Sequence, residues 1–433
     1  MSEGATVLHC ASSRGAMLYT LHLDTQTSWR GGQSQALLLM RGLIERGHTA
    51  ELMAPRGSPL ALRARQAGIT VHDVSPKFPR AHMAWQLWRL PRHRQANPGK
   101  SHPPNGNIDQ PEFGPANHNF DIVHAHDSHA LAAAWLGGVH RQGTLIAARR
   151  VAYQLSKGRL AAARYCAASS IIAVSRFVAR SMEGRGIEPA RIAIVYDGVT
   201  VPPQVTEDQH ERARSAARAR WGIAEGECVL GCVSNLSPEK GQEVLLHALH
   251  LLAAREFATK SVPECAPQVP VAAAGILESP GARQCRMVLA GAGNDHARLE
   301  ALAHDLGIAD RIIFTGFVDD VDSIYTALDI FLFPSAAEPL GSSLLDAMAC
   351  GLPCIAVASG GVREAMEDGV NGLLVPAPAA PAGFADAVAR LNANPCDAAR
   401  LGAAARETIV TRFSAARMVD STLAVYEKAV RRQ

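Results

Sequence analysis

Residues 329–351 read DIFLFPSAAEPLGSSLLDAMACG. The opening DIFLFPS, 329–335, is a short apolar run closed by Pro334, the pattern of a buried strand. LLDAMACG holds strong helix formers and stops on Gly351. Pro339, Gly341, Ser342 and Ser343 between them are turn and helix-start residues, so the unit reads strand, loop, helix. Gly341 lets backbone approach a ligand, and Ser342 or Ser343 is expected as the N-cap. Free N–H groups at such a helix start attract an anion. Asp346 follows Ser342 by four, shares its helix face and leans back toward the helix start. Glu338 stands ahead of the turn. Amides for phosphate and two carboxylates for hydroxyls suit a sugar nucleotide. An isolated pair of acids would equally suit plain solvation.

The same alternation runs through the rest of the chain. AMLYTLHLD (16–24), TAELMAP, ITVHDV, NFDIVHAHD (119–127), SIIAVS (170–175) and RIAIVYDGV (191–199) read as strands. The Gly-rich WRGGQSQALLLMRGLIERGH between the first two reads as a loop and a helix from about Ser34. After the Pro-containing segment TVPPQVTEDQ a second series starts: CVLGCVSNL, RMVLAGAG, RIIFTGFV, IFLFPS and LPCIAVASGG as strands, with helical segments between them. Strands alternating with helices predict an α/β protein with parallel sheets covered on both faces. Two such doubly wound domains in tandem imply a cleft at the carboxyl ends of their strands. Two stretches do not fit the alternation. Residues 93–119, rich in Pro, Gly, Asn and His, read as a long loop, and 257–285 as an insertion.

Composition bounds the rest. The chain has 433 residues, 48% of them hydrophobic, enough for two or three domains with sizeable cores. No apolar run approaches the roughly 18 residues of a spanning helix. The start, MSEGATVLHCASSRGA, lacks a basic segment before a long apolar core, so no secretory leader is expected. Nine scattered cysteines form no CxxC pair, which disfavours a zinc ribbon and predicts reduced thiols in the cytoplasm. The net charge of +3 hides an asymmetry. Residues 1–200 carry +11 and residues 201–433 carry −8. With no zinc finger or aromatic RNA-binding signature, nucleic acid is disfavoured, and an anionic membrane or acidic acceptor fits better. KFPRAHMAWQLWRLPRHR, 77–94, places Lys77, Arg80, Arg89, Arg92 and Arg94 beside Trp85 and Trp88. Met83, Leu87 and Leu90 recur there at three-to-four spacing. This suits an interfacial segment, or equally a helix packing Trp85 and Leu87 onto the sheet.

In order along residues 17–430, the motifs GGQSQALLLMRGLIERGH, FDIVHAH, IIAVS, IVYDGV, LSPEKG, LAGAG, TGFVDDV, FPSAAEPLGSSLLDAMACGLP and GGVREAMEDGVNGLLV resemble glycosyltransferase family 4. These are retaining nucleotide-sugar enzymes of GT-B fold, two Rossmann-like domains facing each other across a cleft. The resemblance implies an acceptor-binding domain over 1–199 and a nucleotide-sugar domain over 200–414. A terminal helix, about 415–433, would return to the first. It implies that Glu338 contacts hydroxyls of the transferred sugar, Asp346 the ribose, Lys240 the diphosphate, and His126 the donor sugar. Gly31, Gly32, Asn235, Gly291, Gly341, Ser342 and Ser343 complete the implied donor site, with Glu338, His126 and Lys240 as its catalytic set. No metal and no cofactor are expected, the nucleotide sugar being a co-substrate. The chain departs from the family at three positions. Asp346 stands for the usual Glu, Asp197 for the usual Asn of Asn-Gly-Val, and Asn235 for an Arg. Arg30 or Arg150 is the expected substitute for that missing charge.

Chemistry points the same way. A leaving diphosphate needs its charge neutralised away from water, which Lys240 and the amides after Glu338 supply, with Gly31 and Gly32 closing from the other domain. The transition state is oxocarbenium-like, and no Asp or Glu nucleophile is evident among the N-terminal motifs. The implied acceptor is a glycan or a lipid-linked sugar of lipopolysaccharide or envelope polysaccharide, made at the inner face of the cell membrane. A nucleotide-sugar epimerase and a sugar-nucleotide binder without transfer are the alternatives; a Rossmann oxidoreductase ranks last. DVD, 320–322, imitates a metal-binding DxD but reads better as a helix cap, and GAG, 291–293, is a weak dinucleotide signal. Glu364 reads either as a donor contact or as a solvated first-turn acid.

Overall fold

The computed structural model describes residues 16–90, 120–155, 158–260 and 283–432. The 93–119 stretch and most of the 257–285 segment lie outside them. Among the described residues, thirteen strands form two parallel sheets. The first contains β1 (Tyr19–Leu23), β2 (Thr49–Pro55), β3 (Val71–Val74), β4 (Ile122–Ala125), β5 (Thr144–Arg149), β6 (Ser170–Ala173) and β7 (Ile192–Ile194), in the order β3-β2-β1-β4-β5-β6-β7. The second contains β8 (Cys228–Val233), β9 (Cys285–Ala290), β10 (Ile312–Gly316), β11 (Ile330–Phe333), β12 (Cys354–Val357) and β13 (Leu373–Val375), in the order β10-β9-β8-β11-β12-β13. In each, the order reverses beside the first strand of the series, the switch point at which open α/β sheets bind ligands.

These strands are mostly apolar because helices cover both faces, though β1 and β4 also bury His22 and His124. β4, β5, β11 and β12 are buried at every residue. Two apolar clusters flank the second sheet. One gathers Val229, Phe331, Leu345 and Phe413; the other gathers Leu230, Leu249, Leu332 and Phe384. Fully burying one such side chain contributes about 1.5–3 kcal/mol, so each face is a substantial core. The described cysteines are free thiols. Burial pushes the Cys232 thiol up to about 11, with Ser234 and Lys240 opposing.

By sheet membership the chain changes over between β7 and β8, through the Pro-containing segment. By compactness it groups as Met1–Ala147 with Ala167–Ser169 and Tyr426–Gln433, and Ala148–Cys166 with Ser170–Val425. Within the second unit, the turn after β6 is tied to the 338–364 region. Ser175 Oγ donates to the Pro339 carbonyl at 2.6 Å. The Glu364 carboxylate accepts the Arg176 and Phe177 N–H groups at 2.9 and 2.8 Å and the Tyr196 hydroxyl at 3.1 Å. Glu364 is therefore not simply a solvated acid: it accepts the first two N–H groups of the helix Arg176–Arg180, whose N-cap is Ser175.

Candidate active site

In the second unit, the loop after β11 carries Glu338, which is 7% exposed. Lys240 Nζ donates to its Oε1, and Ser335 Oγ donates to the same oxygen at 2.8 Å. Ser335, itself buried, is held in turn by the Ser359 hydroxyl, 3.0 Å from its carbonyl. Lys240 closes a short 3-10 turn, Pro238–Lys240, and Gly241 follows at φ +74°. A Cβ on Gly241 would sit 2.7 Å from the Pro334 carbonyl oxygen, so the glycine lets the Lys240 turn reach the end of β11. Gly360 and Gly361 serve the same loop from the other side. A Cβ on Gly361 would lie 1.9 Å from the Pro339 carbonyl oxygen, and the Gly361 N–H donates to the Glu338 carbonyl at 2.9 Å.

The helix after this loop is Ser342–Ala349. Its N-cap is Gly341, at φ +102°, and no side chain caps it. The serine expected as N-cap is displaced: Ser342 and Ser343 are the first two helical residues. The first backbone bond runs from the Leu345 N–H to the Gly341 carbonyl at 3.0 Å. The amides ahead of it point out of the helix start, the arrangement that favours an anion. Asp346 lies one turn in and is half-buried. Burial first, and the Asp322 charge second, push its carboxyl up to about 7. Asp322 belongs to DVD, whose Asp320 accepts the Ser323 N–H at 3.4 Å as the cap of the helix Val321–Ala327.

Asn235 is exposed at the end of β8, and its carbonyl accepts from the buried Gln242 Nε2 at 2.9 Å. Gly291, at φ +140°, packs directly against this turn: a Cβ there would lie 1.9 Å from the Ser234 carbonyl oxygen. Packing alone accounts for that glycine. Arg150 is not a spare cation for the charge missing at Asn235. Its Nε is 2.9 Å from the Asp197 carboxylate in a largely buried pair. Burial pushes the Asp197 carboxyl up, and Arg150 opposes the shift.

In the first unit, the helix expected from about Ser34 begins at Gly31 and runs to Glu45. Gly31 and Gly32 thus form its first turn, behind an Arg30 that makes no side-chain cap. Asp24 orders the preceding loop, accepting Gln26 N–H at 2.8 Å and Gln33 Nε2 at 2.9 Å. Asp127 does the same beside it. It accepts the Thr25 N–H and hydroxyl at 2.8 and 2.9 Å and caps the helix Ser128–Leu136. His126 follows β4 and is buried; its N–H donates to the Leu23 carbonyl at 2.9 Å. Its ring stacks on His124 at 4.2 Å between centroids, and its Nε2 is 2.9 Å from His22 Nδ1. Sequence reading passed over His22, Ser335 and Ser359. The alternating histidines of LHLD and VHAH were the available signal for the first.

Two family models match the chain: Glycosyltransferase Family 4 over residues 29–201 and Glycosyl transferases group 1 over residues 213–408. The D-inositol 3-phosphate glycosyltransferase of Geodermatophilus obscurus is 32% identical over 72% of this chain and 67% of its own. The lipopolysaccharide core biosynthesis glycosyltransferase LpsE of Rhizobium meliloti is 37% identical, over 31% of this chain and 39% of its own. Among solved structures, Anabaena Alr3699/HepE in complex with UDP and glucose superposes with a TM-score of 0.72. That match covers 95% of this chain and 99% of that one at 20% identity, a likeness of fold. With both family models matched in order and a relative of this identity and coverage, the chain belongs to glycosyltransferase family 4, with the GT-B fold.

Proposed function

We propose that this glycosyltransferase is a retaining, metal-independent enzyme that moves a sugar from a nucleotide sugar to a glycan or lipid-linked acceptor of the cell envelope. The observation that carries the proposal is the loop after β11. It sets a buried Glu338, ion-paired to Lys240, immediately before a helix start with no side-chain cap. Glu338 would take hydroxyls of the transferred sugar, Asp346 those of the ribose. Lys240 and the Ser342 and Ser343 amides would take the diphosphate; in the first unit, Gly31, Gly32 and His126 are the residues to which the family resemblance assigns donor contacts. As the anomeric carbon's bond to the leaving phosphate breaks, the acceptor oxygen bonds to it on the same face. The acceptor's proton passes to the departing diphosphate. UDP and glucose in HepE and the lipopolysaccharide role of LpsE support the donor and acceptor classes.

The basic half supports a place at the membrane surface from the cytoplasmic side. On the helix Pro79–Trp88, Met83 and Leu87 face inward, whereas Phe78, Trp85 and Trp88 are exposed beside Lys77, Arg80 and Arg89. Leu87 is packed as expected, whereas Trp85 is not packed onto the sheet, and its exposure supports the interfacial reading. Among the described residues no helix is long and apolar enough to cross a membrane. A thermal-shift screen over UDP-, GDP- and ADP-sugars tests the donor assignment, since a ligand that binds only the folded state raises its melting temperature. No shift with any of them would overturn it.

A further inference from the structure

Three distant segments of the second unit close a ring of hydrogen bonds around the backbone of Glu338. The adjacent carbonyls of Glu338 and Pro339 are held by separate donors. The Gly361 N–H donates to the Glu338 carbonyl at 2.9 Å, and Ser175 Oγ donates to the Pro339 carbonyl at 2.6 Å. Glu364 joins these two donors. Its own N–H donates to the Gly361 carbonyl at 2.9 Å, within the short helix Val362–Ala365. Its carboxylate accepts the Arg176 and Phe177 N–H groups at 2.9 and 2.8 Å, immediately after Ser175. Ser175 is fully buried, and its hydroxyl has one hydrogen. The same oxygen accepts the Val178 N–H at 3.1 Å, so the hydrogen is the one given to Pro339. The first four amides of the helix Arg176–Arg180 are thus divided between two residues. Glu364 takes Arg176 and Phe177 in charge-assisted bonds; Ser175 takes Val178 with its side chain and Ala179 with its carbonyl at 3.0 Å. Capping needs only an acceptor from the Ser175 hydroxyl. Its donation to Pro339 is additional to the cap and reaches a segment 164 residues away.

We propose that Ser175 is a positioning residue for Glu338, with Glu364 holding Ser175 in place. Two consecutive peptide planes, each fixed by its own donor, define the path of the chain from Glu338 to the helix start at Gly341. The Lys240 and Ser335 bonds then orient a carboxylate whose backbone is already placed. Without the Ser175 hydroxyl the Pro339 carbonyl loses that donor, and the loop can turn the Glu338 side chain away from its productive direction. The inference rests on the proposed contact of Glu338 with hydroxyls of the transferred sugar.

Hydrogen–deuterium exchange on the full chain, read by mass spectrometry of its peptides, tests this without donor or acceptor present. Ser175→Gly removes the hydroxyl but keeps a residue that serves as an N-cap. Ser175→Thr keeps a hydroxyl that both donates and accepts. In Ser175→Gly, exchange should quicken about tenfold in residues 340–345 as well as in 176–180, while β11 keeps its wild-type rate. Ser175→Thr should restore both segments. If Ser175→Gly quickens every strand, and so has lost its fold, Glu364→Gln carries the test: it keeps the side-chain volume, sits at a half-buried position and should loosen the same two segments. A change confined to 176–180 would make Ser175 a helix cap alone and overturn the proposal. Transfer measured in parallel should fall about tenfold in kcat/KM for Ser175→Gly, the effect of one lost hydrogen bond, and recover in Ser175→Thr. Wild-type transfer by a folded Ser175→Gly would also overturn it. Loop exchange that follows Ser175, with no transfer by the wild type to any acceptor, would support the placing of the loop and fault the functional reading alone.

Discussion

If Asp346 holds the ribose as proposed, donor binding depends on pH, with a sign and size that follow from its surroundings. Its carboxyl is pushed up to about 7, by burial first and by Asp322 second. Near pH 6 about one molecule in ten then carries the carboxylate, and near pH 8 about nine in ten. If the carboxylate is the form that accepts the ribose hydroxyls, affinity for a nucleotide sugar rises by up to about tenfold across that range, or about 1.4 kcal/mol. The nucleotide sugar has no phosphate monoester titrating there, so the dependence belongs to the protein. Binding near pH 7 also releases about half a proton. Calorimetry in two buffers of different ionisation enthalpy measures both quantities. Asp346→Asn should bind weakly with no pH dependence. Asp322→Asn should move the rise to lower pH, because it removes a like charge. A wild-type affinity flat from pH 6 to pH 8, with no proton release, would refute the reasoning. Stability carries the opposite sign. Between the ordinary carboxyl value of 3.8 and about 7, the folded state holds a proton that the unfolded chain has lost. Folding therefore weakens by up to about 1.4 kcal/mol per pH unit over that window, levelling off above it. Asp346→Asn abolishes that slope, which melting curves over the same range detect.

Glu338→Gln keeps the side-chain volume and removes the charge paired with Lys240; turnover should fall by orders of magnitude while melting and nucleotide-sugar binding persist. Wild-type turnover in the folded variant would disprove the role. Lys240→Ala should weaken nucleotide-sugar binding by about 1.5–3 kcal/mol, the worth of a charged hydrogen bond, and unchanged calorimetric affinity would place the diphosphate elsewhere. Transfer should survive EDTA and give a product with the donor's anomeric configuration by NMR; rescue by magnesium after chelation, or an inverted linkage, would count against the mechanism. Vesicle co-sedimentation should favour anionic lipid and weaken with salt, since each basic residue near the surface gains about 1 kcal/mol. Replacing Trp85 and Trp88 with Ala should reduce it, and equal binding to neutral vesicles would sink the membrane proposal.

What the sequence made legible is what short-range periodicity carries. Apolar runs with helices between them predicted both sheets, because a strand buried on two faces has few polar positions to obscure it. The Glu338 loop was legible because turn residues and helix formers sit in one continuous stretch. What stayed hidden depends on contacts between distant segments. Glu364 lies 188 residues from the Arg176 amide it accepts. Arg150 reads as a free cation until its partner Asp197 comes beside it, 47 residues later. His22 meets His126 across 104 residues, and only the adjacency of β1 and β4 turns two alternating patterns into one cluster.

The glycines show how a motif can be conspicuous for a reason other than the ligand. GAG at 291–293 imitates a nucleotide loop, yet Cβ atoms on Gly291 and Gly293 would lie 1.9 and 2.0 Å from the Ser234 and Leu236 carbonyl oxygens. These residues are small because the loops after β8 and β9 touch there, which shapes the turn carrying Asn235. The pair Gly360–Gly361 stands in the same relation to Glu338 and Pro339. Backbone-to-backbone contact of this kind leaves the loop no room to shift, since a side chain at either position would have to displace main chain rather than a flexible group. Glu338 is thus positioned twice, by the Lys240 and Ser335 side chains on its carboxylate and by glycine packing beneath its backbone. A carboxylate held in this way can meet sugar hydroxyls without first being ordered, and ordering a flexible side chain at an interface would otherwise take about 0.5–1.5 kcal/mol from binding.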